Sequence, residues 1–113
     1  MLADYIQPAF VSNSIVLDVS NYDYVVAQFV APTGTINITT TNDSGDVQGE
    51  TDGDASTATN FITTYATKLS TNTAVTAVDA AGLYKINVAG RYIRFSGASA
   101  AATKVIVMLA KIS

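Results

Sequence analysis

The chain of 113 residues contains no histidine, no cysteine and no tryptophan, two prolines, and only 13% charged residues. Each shortage removes a class of chemistry. Without histidine there is no side chain whose ordinary pKa places its proton transfer near neutrality. Without cysteine there are no disulfides, no thiolate nucleophile and no thiolate metal ligand. The six Lys and Arg residues form no cluster and the net charge is −3, so no basic stripe could neutralise successive phosphates and nucleic acid is not an expected partner. The longest apolar runs are strand-length, far below the roughly 20 residues of a membrane helix, and no membrane is expected either. The opening Met1-Leu2-Ala3-Asp4-Tyr5 has no basic region and no small-residue cleavage site, which leads to an expectation of synthesis in a cytoplasm.

What is present is alternation. Hydrophobic residues hold at 49% while charge falls well below a typical ~25%, so much of the surface must be Thr, Ser, Asn, Gly and Ala. Apolar and polar residues alternate with period two, and β-branched residues fill the pattern, which favours strands over helices. The spacing predicts strands near Ser14 to Val19, Tyr24 to Val30, Thr35 to Thr40, Phe61 to Leu69, Ala74 to Val78, Leu83 to Val88, Arg91 to Ser96 and Lys104 to Ile112. About eight strands in one small domain imply an all-β fold, an antiparallel sandwich of jelly-roll-like type. Turns are marked at Ser20-Asn21-Tyr22-Asp23, Ala31-Pro32-Thr33-Gly34 and Ala89-Gly90. Residues 1–13 read as an N-terminal arm, residues 14–113 as the single sandwich domain, and residues 41–59 as a long Asp- and Gly-rich loop within it.

The strand faces carry more detail. Ile36 and Ile38 point inward with Asn37 and Thr39 outward; Tyr84, Ile86 and Val88 point inward with Lys85 and Asn87 outward. Ile93 and Phe95 likewise face in, leaving Tyr92 and Arg94 outward, while Arg91 sits at the strand's mouth beside Gly90. Two strands are apolar on both faces. Val25, Ala27 and Phe29 are backed by Tyr24, Val26 and Val30; Val105, Val107 and Leu109 are backed by Ile106, Met108, Ala110 and Ile112. Intrachain loops or the segment Leu2 to Val11 could cover those second faces, and so could another subunit, because a monomer seldom exposes an apolar patch much above ~600 Å².

The motifs offer little chemistry. Asp43, Asp46, Glu50, Asp52 and Asp54 crowd the long loop, but an EF-hand frame started at Asp52 lacks its sixth-place Gly and has Thr63 where a Glu belongs, so no metal site is assigned. Exposed acids on such a loop lack the burial that raises a general acid's pKa, and no Ser-x-x-Lys spacing occurs, so no catalytic residue, cofactor or enzymatic activity is expected. Sugar binding by stacking on Tyr22, Tyr24, Tyr65 or Tyr92 is the remaining alternative, although a tyrosine in a strand more often packs in a core or rim. The sequons Asn37-Ile38-Thr39 and Asn42-Asp43-Ser44 carry no weight without a secretory signal.

The run from Ile15 through Asp18, Ser20, Tyr22 and Asp23 to Val26 is followed by Thr35-Ile36-Asn37-Ile38. Then come Gly82-Leu83-Tyr84 and Tyr92-Ile93-Arg94. In this order they resemble a β-sandwich module recurrent in tailed-phage virion proteins, in which a Gly- and Asp-rich loop separates the opening strands from "Gly-x-Tyr" and "Tyr-x-Arg" strands. Relatives of that type often carry Trp after the acidic loop, where this chain has Phe61. The resemblance implies a virion location and a non-enzymatic structural role as a capsid decoration or minor capsid protein. The implied partners are the major capsid protein or other virion proteins, in a homo-oligomeric or multi-copy assembly. A neck, tail or fibre position and a glycan-binding module are the alternatives. On this reading the candidate interface residues are Tyr5, Phe10, Tyr24, Val26, Tyr92, Arg94, Ile106, Met108 and Ile112.

Overall fold

The computed structural model describes residues 2–45 and 57–112. They form eleven strands in two antiparallel sheets: β1 Leu2–Ile6, β2 Ser14–Asp18, β3 Tyr24–Val30, β4 Ile36–Thr41, β5 Ile62–Thr63, β6 Ala66–Lys68, β7 Thr73–Val75, β8 Ala77–Val78, β9 Gly82–Asn87, β10 Tyr92–Ser96 and β11 Lys104–Lys111. The larger sheet has the order β1-β11-β3-β9-β6-β7, the smaller β2-β10-β4-β5, with β8 also on β4. From β1 to β4 and again from β9 to β11, successive strands alternate between the sheets, and the first and last strands are neighbours. The arrangement is sandwich-like.

The core is what the alternation predicts. Val25, Ala27 and Phe29 of β3, Tyr84 and Ile86 of β9, and Val105, Val107 and Leu109 of β11 face Ile15 and Leu17 of β2, Ile36 and Ile38 of β4, and Ile93 and Phe95 of β10. Phe29 stands at the centre, edge-on to Tyr84 at 5.8 Å and to Phe95 of the opposite sheet at 5.2 Å. Edge-to-face rings set the positive rim of one against the negative face of the other, adding to the gain from burial. The hydroxyl of Tyr84, whose residue is otherwise fully buried, donates to the carbonyl of Ala80 at 2.7 Å.

Three departures from the sequence reading have physical causes. The expected strand from Phe61 to Leu69 is broken: β5 pairs with β4 in the small sheet, and β6 with β9 in the large one. The expected strand from Ala74 to Val78 divides in the same way into β7 and β8. Both segments turn the corner between the sheets, and there Ile38 of β4 accepts from the Thr64 N–H and donates to the Thr76 carbonyl. Period-two alternation continues through such a corner, so it gives no sign of the crossing. Residues 2–6, read as part of an arm, form the edge strand β1, in register with β11 from Leu2↔Lys111 to Ile6↔Val107. The Tyr22 hydroxyl reaches across to Asp4 at 2.6 Å, and that acceptor raises the phenol's pKa. A tight hairpin follows. Ser12 and Asn13 both have positive φ (51° and 64°), and Val11 and Ser14 exchange backbone bonds of 2.9 and 3.1 Å around them, the geometry of a two-residue primed turn.

The acidic loop is tied at its base. Thr41 ends β4 and donates its hydroxyl to the Thr59 carbonyl at 2.7 Å, while the Asp43 carbonyl accepts from the Thr59 N–H. The Asp43 carboxylate takes the Asn60 amide at 2.7 Å and the Gly45 N–H at 2.8 Å. These two donors, Asn60 foremost, hold its pKa below the ordinary 3.8. Gly45 has φ of 84°, and a Cβ there would lie 2.0 Å from the Thr57 carbonyl oxygen, so no other residue fits the tie. Asp46, Glu50, Asp52 and Asp54 lie outside the described residues.

Two outcomes follow from this packing. Phe29→Ala empties the meeting point of both sheets and should cost about 3–5 kcal/mol in urea unfolding; a loss below about 1 kcal/mol would mean that the sheets close over the gap. A carboxyl whose pKa is lowered on folding stabilises above its unfolded value and loses that contribution as pH falls through the folded one. The difference in urea midpoint between the natural chain and Asn60→Ala should therefore be full at about pH 6 and shrink progressively below the ordinary carboxylate value. A difference that does not change with pH would remove the Asn60–Asp43 bond from the loop's anchoring.

Candidate interaction surface

Antiparallel register places directly opposed residues on the same face. On the outer side of the six-stranded sheet this generates a row Tyr5–Met108–Val26–Lys85 and a second row Ile106–Gln28–Leu83. Tyr5 is 70% exposed and Leu83 44%, while Val26, Ile106 and Met108 are half-buried. Together with Gln28 these five apolar residues line a shallow depression of about 160 Å³ that opens to solvent. The second faces of β3 and β11, apolar in sequence, thus remain partly accessible at Val26, Ile106 and Met108, while Ala110 is buried. The N-terminal segment does not lie over them. Its β1 extends the sheet edgewise and contributes Tyr5 to the same face.

Tyr24 belongs to this face as well, with the Lys85 ammonium 4.6 Å above its ring centre. Lys85 closes one end of the apolar strip and the exposed Lys104 begins the adjoining strand. Ile112 is 66% exposed beyond the end of β11, its N–H held by the Asp23 carboxylate at 2.6 Å. Phe10 stands elsewhere. It packs, partly buried, against the core and lines a cleft of about 420 Å³ with Pro8, Ala102 and Val105.

Two expectations at β10 are corrected. Tyr92 does face away from Ile93 and Phe95, but it has no exposed surface. Its neighbours in register are Thr41 and Asp18, and the Arg91 guanidinium lies 5.1 Å from its ring centre. Tyr92 therefore presents nothing to a partner or a sugar, whereas Tyr65, at 69%, is open. Arg94 does not pair with Tyr92. Its guanidinium stacks on Phe61 at 4.1 Å, a contact between residues far apart in sequence. Leu83 and Gln28 of the apolar face were not among the expected interface residues. Leu83 could have been read from the same alternation that sent Lys85 outward, since it stands two positions earlier.

No group of three or more acidic side chains is placed to hold a metal ion among the described residues. The chemistry of the open face is that of contact: aliphatic and aromatic carbon, a thioether, one amide and flanking ammonium groups.

No protein-family model matches the sequence, and no curated protein matches it. The fold has a counterpart among solved structures. The crystal structure of SPBc2 prophage-derived protein YomS superposes with a TM-score of 0.65, covering 96% of this chain and 95% of that one at 10% sequence identity. At that identity the likeness establishes a shared all-β architecture over nearly the full length of both chains.

Proposed function

We propose that this chain is a non-enzymatic structural protein of a phage particle, acting as a capsid decoration or minor capsid protein that seats through the outer face of its six-stranded sheet. The observation that carries the proposal is the open apolar strip of Tyr5, Val26, Leu83, Ile106 and Met108 on a sheet whose other face packs into the core through β3, β9 and β11. Apolar area removed from water contributes roughly 25 cal/mol per Å², so a strip of this kind stabilises whichever arrangement covers it. The prophage origin of the structurally similar protein supports the phage assignment. The low charge and Thr-rich surface suit a protein packed among neighbours, and weak single contacts gain strength when many copies bind one lattice. The partner is the shell protein, another virion protein or a further copy of this chain.

Copy number in purified particles, normalised to the major shell protein, tests the assignment. On the order of hundreds of copies places the chain on the capsid lattice; about a dozen moves it to a ring or fibre at the neck or tail. Absence from particles refutes the virion role. Ile106→Asp and Met108→Asp should leave circular dichroism and the urea midpoint close to those of the natural chain. Each should lower incorporation by about tenfold or more, as expected for a central apolar contact. Variants that keep the fold and still incorporate normally would show that this face is not the seat.

A further inference from the structure

A second surface, on the opposite side of the molecule, carries different chemistry. The outer face of the five-stranded sheet bears a groove of about 570 Å³ between the segment that precedes β2 and the residues that follow the acidic loop. Pro8, Val11, Val16, Ala58 and Phe61 supply apolar walls, and among the described residues Arg94 is the one charged residue lining it. One face of the Arg94 guanidinium is covered by the Phe61 ring at 4.1 Å. Its Nε is buried and has no hydrogen-bond partner, and no carboxylate among the described residues forms an ion pair with it. A guanidinium always carries its charge and offers five donors in a planar fork matched to a carboxylate. Here it is held by stacking in an apolar groove, with its Nε–H unpaired.

We propose that this groove binds a carboxylate-bearing peptide segment, an Asp or Glu side chain beside an apolar residue, with Arg94 as the anchor for the anion and Phe61 as the platform that orients it. The groove's composition favours a peptide over an acidic sugar. Among the described residues only Ser14 besides Arg94 offers a polar side chain there, too few to satisfy the hydroxyls of a saccharide, whereas the Pro, Val and Phe walls suit the apolar neighbour of an acidic residue. Phe61 supplies a flat aromatic surface on which the guanidinium stacks. The site is independent of the apolar face on the six-stranded sheet and does not require the virion reading.

The test is a nuclear magnetic resonance titration of the full chain, following the Arg94 Nε–H signal and the Phe61 ring protons. The probes are acetyl-Leu-Asp-Leu-amide, the same peptide with Asn in place of Asp, and glucuronate. The Asp peptide should shift both signals saturably and the Asn peptide should not. Arg94→Gln should abolish the effect, and Arg94→Lys should weaken it by roughly tenfold, the factor expected for loss of a charge-assisted hydrogen bond. If Arg94→Gln perturbs the backbone spectrum, the Lys variant carries the comparison alone, since it keeps the charge and loses the fork. Unmoved Arg94 and Phe61 signals at millimolar Asp peptide, equal shifts with the Asn peptide, or an Arg94→Lys variant that binds as tightly as the natural chain would overturn the proposal. A response to glucuronate alone would overturn the peptide assignment in favour of an acidic sugar.

Discussion

Phe29 meets Phe95 edge to face across the sandwich and Tyr84 along its own sheet, and the rest of the molecule depends on that meeting. The chain has no cysteine, and the buried apolar residues of the two sheets meet in one core. Tight packing of this kind demands that every inward position be filled at near-crystalline density. The chain meets the demand by strict alternation, and once the inward set is fixed the outward set of each strand has no freedom left.

Function follows from what the outward sets contain. Asn37 and Thr39 of β4 and Lys85 and Asn87 of β9 turn outward, as polar residues of a half-buried sheet should. The outward sets of β3 and β11 instead hold Val26, Ile106 and Met108, and the cross-strand register brings them together with Tyr5 and Leu83 into one patch. On the other side of the sandwich β10 turns Arg94 outward against Phe61, so the two surfaces differ in kind: one is an apolar strip with Lys85 at its end, the other a groove in which Arg94 is the one charged residue among those described. A small domain with two chemically distinct contact surfaces can touch two different neighbours at once.

The regular strands were legible because burial enforces period two. Tyr24 to Val30 matches β3 at both ends, and the inward sets of β4, β9, β10 and β11 agree with the alternation. The corner segments were not legible, because Thr64 and Thr76 change sheets without interrupting the pattern. β1 was missed for the opposite reason. Leu2-Ala3-Asp4-Tyr5-Ile6 is an edge strand with mostly exposed side chains, held by backbone pairing to β11 and by the Tyr22–Asp4 hydrogen bond. At the sites, alternation sent Val26, Ile106, Met108 and Arg94 outward correctly. It sent Tyr92 outward too, and there the chain covers the residue with its own neighbours.

The sequence by itself determined the class of the fold, the inward face of each long strand and the absence of histidine and cysteine chemistry, since composition and period-two spacing are local properties of the chain. Tertiary structure alone decided which strands are neighbours, and therefore that two apolar faces merge into one patch, that Tyr92 is buried, and that Arg94 finds Phe61. Those outcomes depend on register between segments distant in sequence, which is set by how the two sheets close over Phe29 and which no local spacing encodes.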